Sequence, residues 1–215
     1  MSELIALKDS LNEIAKLENE LRKGGVIVIP VEGSYVYVAD AFNIGAVKRI
    51  HELRGDEPGV ALSVAIGRVE TLTGICAAVS EEIKKLAKIF WPGFLTLYVQ
   101  PNASLSWDLG DGNELGEFAV RIPDSKLLIA LANNIGPLAF SSAALASKGA
   151  ARNLDDVSAL LGEIDFYVDG GALPESELST VVRAKVIGSP ELEAVRIGAI
   201  SLKELQDAIP SLSMA

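Results

Sequence analysis

Two strand-forming apolar runs, Val26 to Ile29 and Ser34 to Val38, are separated only by Pro30 to Gly33. Parallel neighbours need a crossover of about a dozen residues or more, so this spacing implies an antiparallel strand-turn-strand. Several later runs are also too close for a helical crossover, which predicts an α/β fold on a mixed sheet rather than a purely parallel one. Strands are predicted at Val60 to Ile66, Phe94 to Val99, Phe118 to Ile122, Pro137 to Ser141, Phe166 to Asp169, Thr180 to Val182 and Ala194 to Arg196. With the first pair they make nine or so.

Helices are predicted between them from apolar spacing and capping residues. Leu11, Ile14, Leu17 and Leu21 make an amphipathic helix up to Lys23, closed by Gly24 and Gly25. Others cover Ile44 to Leu53, Ser80 to Phe90, Ser125 to Asn134 and Asp155 to Leu161, and a last one begins at the capping box Ser201 with Glu204. Pro and Gly fall singly or in pairs between these segments, with no internal repeat or long linker, so residues 1–215 read as one domain.

Hydrophobic residues make up 49% of the 215 and charged residues 22%, which suits a packed core and excludes a disordered chain. The start carries Glu3, Lys8 and Asp9, unlike a signal peptide, and no apolar run approaches the roughly 20 residues that span a bilayer. A cytoplasmic location without membrane contact is the expectation. The net charge of −10 disfavours RNA binding through the whole surface, though a local basic cleft is compatible with it. The lone Cys76 lies in an apolar run without metal-ligand neighbours and reads as core packing.

Separated polar residues at strand ends are the candidates for chemistry. Arg121, in the apolar run Ala119 to Pro123, must reach solvent, pair with a carboxylate, or present its fork to a ligand's carboxylate or phosphate. Ser141-Ser142-Ala143 follows one strand, Ser179-Thr180 opens another, and Arg196 closes a third before Gly198. Phe90-Trp91-Pro92-Gly93 leads to Thr96; it is either a structural helix stop with Trp91 as a core plug, or a turn bringing backbone and hydroxyl to a ligand. Together these residues suit a phosphate and carboxylate pocket. His51, the single histidine, is expected on a helix surface, and no P-loop, G-x-G-x-x-G or metal-ligand spacing occurs.

Gly25 to Pro30 with Tyr35, Ala46 to Gly55, Phe90 to Thr96, Val120 to Pro123, Pro137 to Ala143, Asp169 to Gly171, Ser179 to Val182 and Arg196 to Ser201 occur in the order of the motifs of the YrdC-like family. The chain resembles that family from Gly24 to Leu205, and Trp107 to Asp111 resembles an actinobacterial branch of it. The resemblance implies a twisted mixed sheet flanked by helices, with a concave ligand cleft. It implies L-threonylcarbamoyladenylate synthesis from threonine, bicarbonate and ATP with Mg²⁺, serving tRNA threonylcarbamoyladenosine modification. Tightly bound cofactors and a protein-held metal are not implied. tRNA-modification proteins are implied as partners, and the family has been linked to double-stranded RNA.

By position in the motifs, Glu32, Tyr35, Arg121 and Ser179 would hold threonine. Arg54, Thr96, Ser141, Ala143 through its backbone, and Arg196 would face the nucleotide, with Arg54 and Arg121 as the catalytic cations. Departures fall at the same places. The family's Pro-Thr-Asp/Glu-Thr-x-Tyr-Gly reads Pro30-Val31-Glu32-Gly33-Ser34-Tyr35-Val36, its Lys-x-Arg reads Arg54-Gly55-Asp56, and its Ser-Ala-Asn reads Ser142-Ala143-Ala144. Pro58 and Ala61 also depart, the usual Ser-Gly becomes Ala146-Ser147, and Arg183 ends Ser179-Thr180-Val181-Val182. Three functions are compatible: a divergent synthase, a noncatalytic paralogue binding a nucleotide, RNA or protein, and a related transferase with another acceptor.

Overall fold

The computed structural model describes residues 2–112, 114, 116–159, 164–185 and 191–215. Its strands are β1 (Glu3–Ala6), β2 (Ile27–Val31), β3 (Ser34–Asp40), β4 (Ser63–Ala65), β5 (Leu95–Val99), β6 (Phe118–Arg121), β7 (Leu138–Ser142), β8 (Phe166–Asp169), β9 (Thr180–Lys185), β10 (Glu191–Arg196) and β11 (Ser213–Met214). They form one sheet in the order β1-β8-β2-β3-β7-β4-β6-β5-β9-β10-β11. β2 and β3 pair antiparallel through the Glu32-Gly33 turn, as their spacing requires, whereas β4 with β6 and β5 with β9 are parallel. The sheet is therefore mixed.

Period-two alternation sends the residues of each strand to opposite faces. Val28, Tyr35, Tyr37 and Ala39 enter one core cluster, while Ile27, Ile29, Val31, Val36 and Val38 enter the other. β2 is buried throughout because both faces are covered, which explains its unbroken apolar run. The first face carries α2 (Ile44–Arg54), α3 (Leu72–Ile75), α4 (Glu81–Phe90) and α6 (Leu202–Ala208), through Ile50, Leu72, Leu86 and Leu205. The second carries α1 (Ile14–Arg22) and α5 (Lys126–Ile135), through Leu17, Leu21, Leu128 and Leu131.

The caps read at Ser80 and at Ser201 form, and Asn43 and Ser125 cap two further helices. The side chains of Asn43, Ser80 and Ser125 accept from Ala46, Ile83 and Leu128 amides, and Ser201 with Glu204 closes a full capping box. Gly55, at φ 61°, ends α2 directly after Arg54 and so fixes where that guanidinium starts. Cys76 is buried, and Trp91 fills the core with its indole N–H donating to the Leu95 carbonyl at 2.6 Å.

Four expectations need correction. Val60 to Ile66 contributes only Ser63–Ala65, because Val60 is exposed beside Gly59 and the Leu62 amide bonds Leu109. Asp155 to Leu161 gives only a 3-10 turn at Leu154–Asp156, capped by Asn153; residues 160 and 161 lie outside the described residues. The N-terminal helix starts at Ile14, and Glu3–Ala6 before it is a strand paired with β8. His51 is not a surface residue: its side chain is 14% exposed, with Nδ1 2.9 Å from Asp56 Oδ2 and Nε2 2.9 Å from the Leu109 carbonyl.

Candidate functional site

A cleft of about 440 Å³ opens where α1 and α5 leave the second sheet face uncovered. Val31, Val36 and Phe140, continuous with that face's core, form its apolar floor. Alternation places the polar wall. Val120 points into the first core, so its neighbour Arg121 points to the cleft side, and Phe140 in β7 carries Ser142 to the same side. Glu32, Arg54, Arg121, Ser179 and Arg196, five residues named from the sequence, all line this cleft.

Arg121 is almost fully buried. Its Nη2 donates to Glu32 Oε1 at 2.6 Å and to the Gly93 carbonyl at 2.8 Å, and its guanidinium lies over Phe94. Burial pushes its pKa below the ordinary value, the Glu32 carboxylate opposes this, and Arg196 adds to the lowering. A guanidinium keeps its charge under such pressure, so two arginines that disfavour each other leave a place for an anion. Among the described residues, Arg121 Nε and Ser142 Oγ are buried polar atoms without a partner. Buried polar atoms without a partner are costly, which singles these two out among the cleft residues.

Glu32 is held by geometry as well as charge. It has a positive φ of 55°, an unfavourable state for a side-chain-bearing residue. Its Oε1 accepts from Arg121 and from the Asp124 amide at 3.1 Å, which fixes the turn. Glu32 therefore orients Arg121, and its carboxylate is already engaged.

The Ser179-Thr180 pair divides its labour. Thr180 is buried, donates to the Ile200 carbonyl at 2.6 Å and accepts from the Gly198 and Ile200 amides, tying β9 to the chain after β10. Ser179 Oγ accepts from Thr96 Oγ1 at 2.9 Å and from Arg196 Nη2 at 3.1 Å. With both acceptor positions filled, its own O–H remains to be donated, which suits a carboxylate. A register shift in β10 between Ala194 and Arg196 re-aims Arg196 onto Ser179.

At the other end of the cleft, Arg54 Nε donates to Asp56 Oδ2 at 2.9 Å, and Nη1 donates to the carbonyls of Ser142 and Ala144. Asp56 also meets His51, and its side chain is only 3% exposed. The acidic residue in the Arg54-Gly55-Asp56 motif thus faces Arg54 and His51 and braces the end of α2 against β7.

Four sequence-named residues stand elsewhere. Tyr35 is fully buried in the first core; its OH donates to the Gly171 carbonyl at 2.8 Å, lies 3.2 Å from Asp169 Oδ1 and accepts from the Gly170 amide. Burial, opposed in part by the Gly170 N–H, raises its pKa. Thr96 is buried behind Ser179, which it orients. Ser141 lies opposite Tyr37 on the other face of β7 from Ser142. The Ala143 amide is already engaged with the Tyr35 carbonyl at 2.9 Å, because the β3–β7 ladder continues through it. Conversely Lys148, Ser176 and Glu177 line the cleft without having been singled out for it, and Ser142, named with Ser141 at the end of its strand, lines it as well.

Among the described residues no group of three or more His, Cys, Asp or Glu could hold a metal ion, and no helix is long and apolar enough to cross a membrane.

Comparisons with known proteins agree with this architecture. A putative threonylcarbamoyl-AMP synthase of Mycobacterium leprae is 30% identical over 203 residues, covering 94% of this chain and 91% of the relative. The threonylcarbamoyl-AMP synthase of Bacillus subtilis is 37% identical over 177 residues, 79% of this chain and 49% of that one. Among solved structures, Pyrococcus abyssi Sua5 complexed with L-threonine superposes with a TM-score of 0.85 at 26% identity, covering all of this chain and 62% of its own. Escherichia coli YciO shares the fold, with a TM-score of 0.78 at 20% identity over 95% of this chain and 100% of that one. A family model described as Sua5_yciO_yrdC, telomere recombination, matches residues 19–198, and the chain belongs to that family.

Proposed function

We propose that the chain is a divergent L-threonylcarbamoyladenylate synthase, converting threonine, bicarbonate and ATP to threonylcarbamoyl-AMP, pyrophosphate and water. The observation that carries this reading is the unpaired Arg121 Nε beside Arg196 and a Ser179 hydroxyl with a proton to give. A threonine carboxylate would accept from Arg121 and Ser179. The carbamate formed on the amino group would then attack the α-phosphate, and Arg196 and Arg54 would offset charge passing to the phosphate oxygens. Mg²⁺ would enter on the ATP phosphates, as it commonly does with nucleotide substrates. A cytoplasmic location and delivery of the labile product to tRNA-modification proteins accord with this reaction, with any RNA contact restricted to the cationic cleft.

One observation favours a second reading, a paralogue that binds these ligands without turnover: Arg54 is engaged by Asp56 and two carbonyls. Pyrophosphate release separates the two. The synthase reading expects release that requires threonine, bicarbonate and ATP together; ligand binding by calorimetry with no release above the blank would favour the paralogue.

A further inference from the structure

Gly33 has no positive φ; the left-handed position of the β2–β3 turn is taken by Glu32 instead. Glycine is therefore needed at 33 for space rather than for backbone freedom. A Cβ there would lie 2.3 Å from Ser176 Oγ, 2.7 Å from Ser176 Cβ and 2.8 Å from the Pro174 carbonyl oxygen. The volume belonging to a side chain at position 33 is thus filled by a side chain that arrives from the segment between β8 and β9. Gly33 stands where the family motif has threonine, so a hydroxyl is lost from the turn and another reaches the same place from a different part of the chain.

Ser176 lines the cleft together with Glu32, Arg121 and Ser179. Among the described residues its hydroxyl is exposed and shows no hydrogen bond, unlike those of Ser179 and Thr180. The backbone that carries it is anchored at both ends: the Leu173 amide donates to the Arg152 carbonyl at 2.8 Å, and the Leu178 carbonyl accepts from Ala199 at 2.9 Å. An anchored, unpartnered hydroxyl on a cleft wall is a ready donor and acceptor for a small polar ligand.

We propose that Ser176 supplies the hydroxyl of the amino-acid end of the cleft, and that Gly33 is glycine in order to admit it. This rests on the proposed function, since the ligand is taken to be an amino acid. The steric and polar roles are coupled: anything that expels Ser176 from the space over Gly33 removes the same hydrogen bond as deleting its hydroxyl.

Calorimetric titration with L-threonine and, separately, with ATP tests it. Ser176→Ala is expected to weaken L-threonine about threefold to tenfold, the range of one neutral hydrogen bond, and to leave ATP affinity unchanged. Gly33→Ala is expected to weaken L-threonine by at least as much, and the double variant no further than the worse single one. L-threonine affinity unchanged in Ser176→Ala, equal loss for both ligands, or additive losses in the double variant would each overturn the role of Ser176. If the unmodified chain binds no L-threonine, the proposed function fails as well, and that outcome is distinct from the others.

Discussion

At Arg121 the sequence left three fates open, and the structure realises pairing with a carboxylate, Glu32, while its Nε stays buried without a partner. Arg121→Met would leave Glu32, 11% exposed, as an uncompensated charge. Urea unfolding should then show a loss of about 3 kcal/mol or more, and L-threonine binding should vanish in calorimetry. Cys76 gives a pH prediction. Burial pushes its thiol from an ordinary 9.0 up to about 12. The folded chain then holds a proton that the unfolded chain loses, so this contribution to stability is present below pH 9 and declines as pH rises towards 12. Urea midpoints measured from about pH 8 to about pH 10.5 should fall more steeply for the native chain than for Cys76→Ala. The types of the cleft residues were legible in the sequence, but the side of the strand was not: Ser141 and Ser142 differ by one position and face opposite ways, which only the pairing of β7 with β3 decides.

Tyr35 and the strand that carries it show what the β2–β3 unit does as an element. The Tyr35 hydroxyl binds the Asp169-Gly170-Gly171 corner and so sets where the segment to Ser179 begins. Tyr35→Phe should cost about 1–3 kcal/mol in urea unfolding, since it strands the Gly170 amide and the Gly171 carbonyl. Direct threonine affinity should change far less than in Ser176→Ala. Elements with a strong local signal were legible: the capped helices α2, α4, α5 and α6, and strands buried on both faces such as β2 and β3. β1 was not, because only Ile5 is buried in its four residues and its pairing with β8 joins Glu3 to Phe166 across most of the chain. Asp155 to Leu161 was read as a helix, but the capping box that Asn153 and Asp156 close starts only the turn Leu154–Asp156, since the length of a helix beyond its cap is decided by packing.

Across the whole molecule, a chain of net charge −10 gathers Arg54, Arg121, Lys148 and Arg196 around one cleft, against Glu32 and Glu177. Charge concentrated against an opposing background favours anionic ligands and makes their binding salt-dependent. Lys148 makes no described ion pair and lies on the wall shared with Arg54. Lys148→Ala should raise the Kd for ATP about threefold and flatten its dependence on salt between about 50 and about 300 mM, on the order expected for one exposed charge. The family resemblance was legible because motif order survives substitution. The local consequence of Asp56 was not, since its partners His51 and Arg54 come together only when α2 ends at Gly55. The central claim is that this cleft joins threonine, bicarbonate and ATP. Mass spectrometry of the adenylate formed from ¹³C-bicarbonate tests it most directly: a threonylcarbamoyl-AMP product carrying the label, absent without threonine, is predicted, and unlabelled or absent adenylate in the native chain would contradict it.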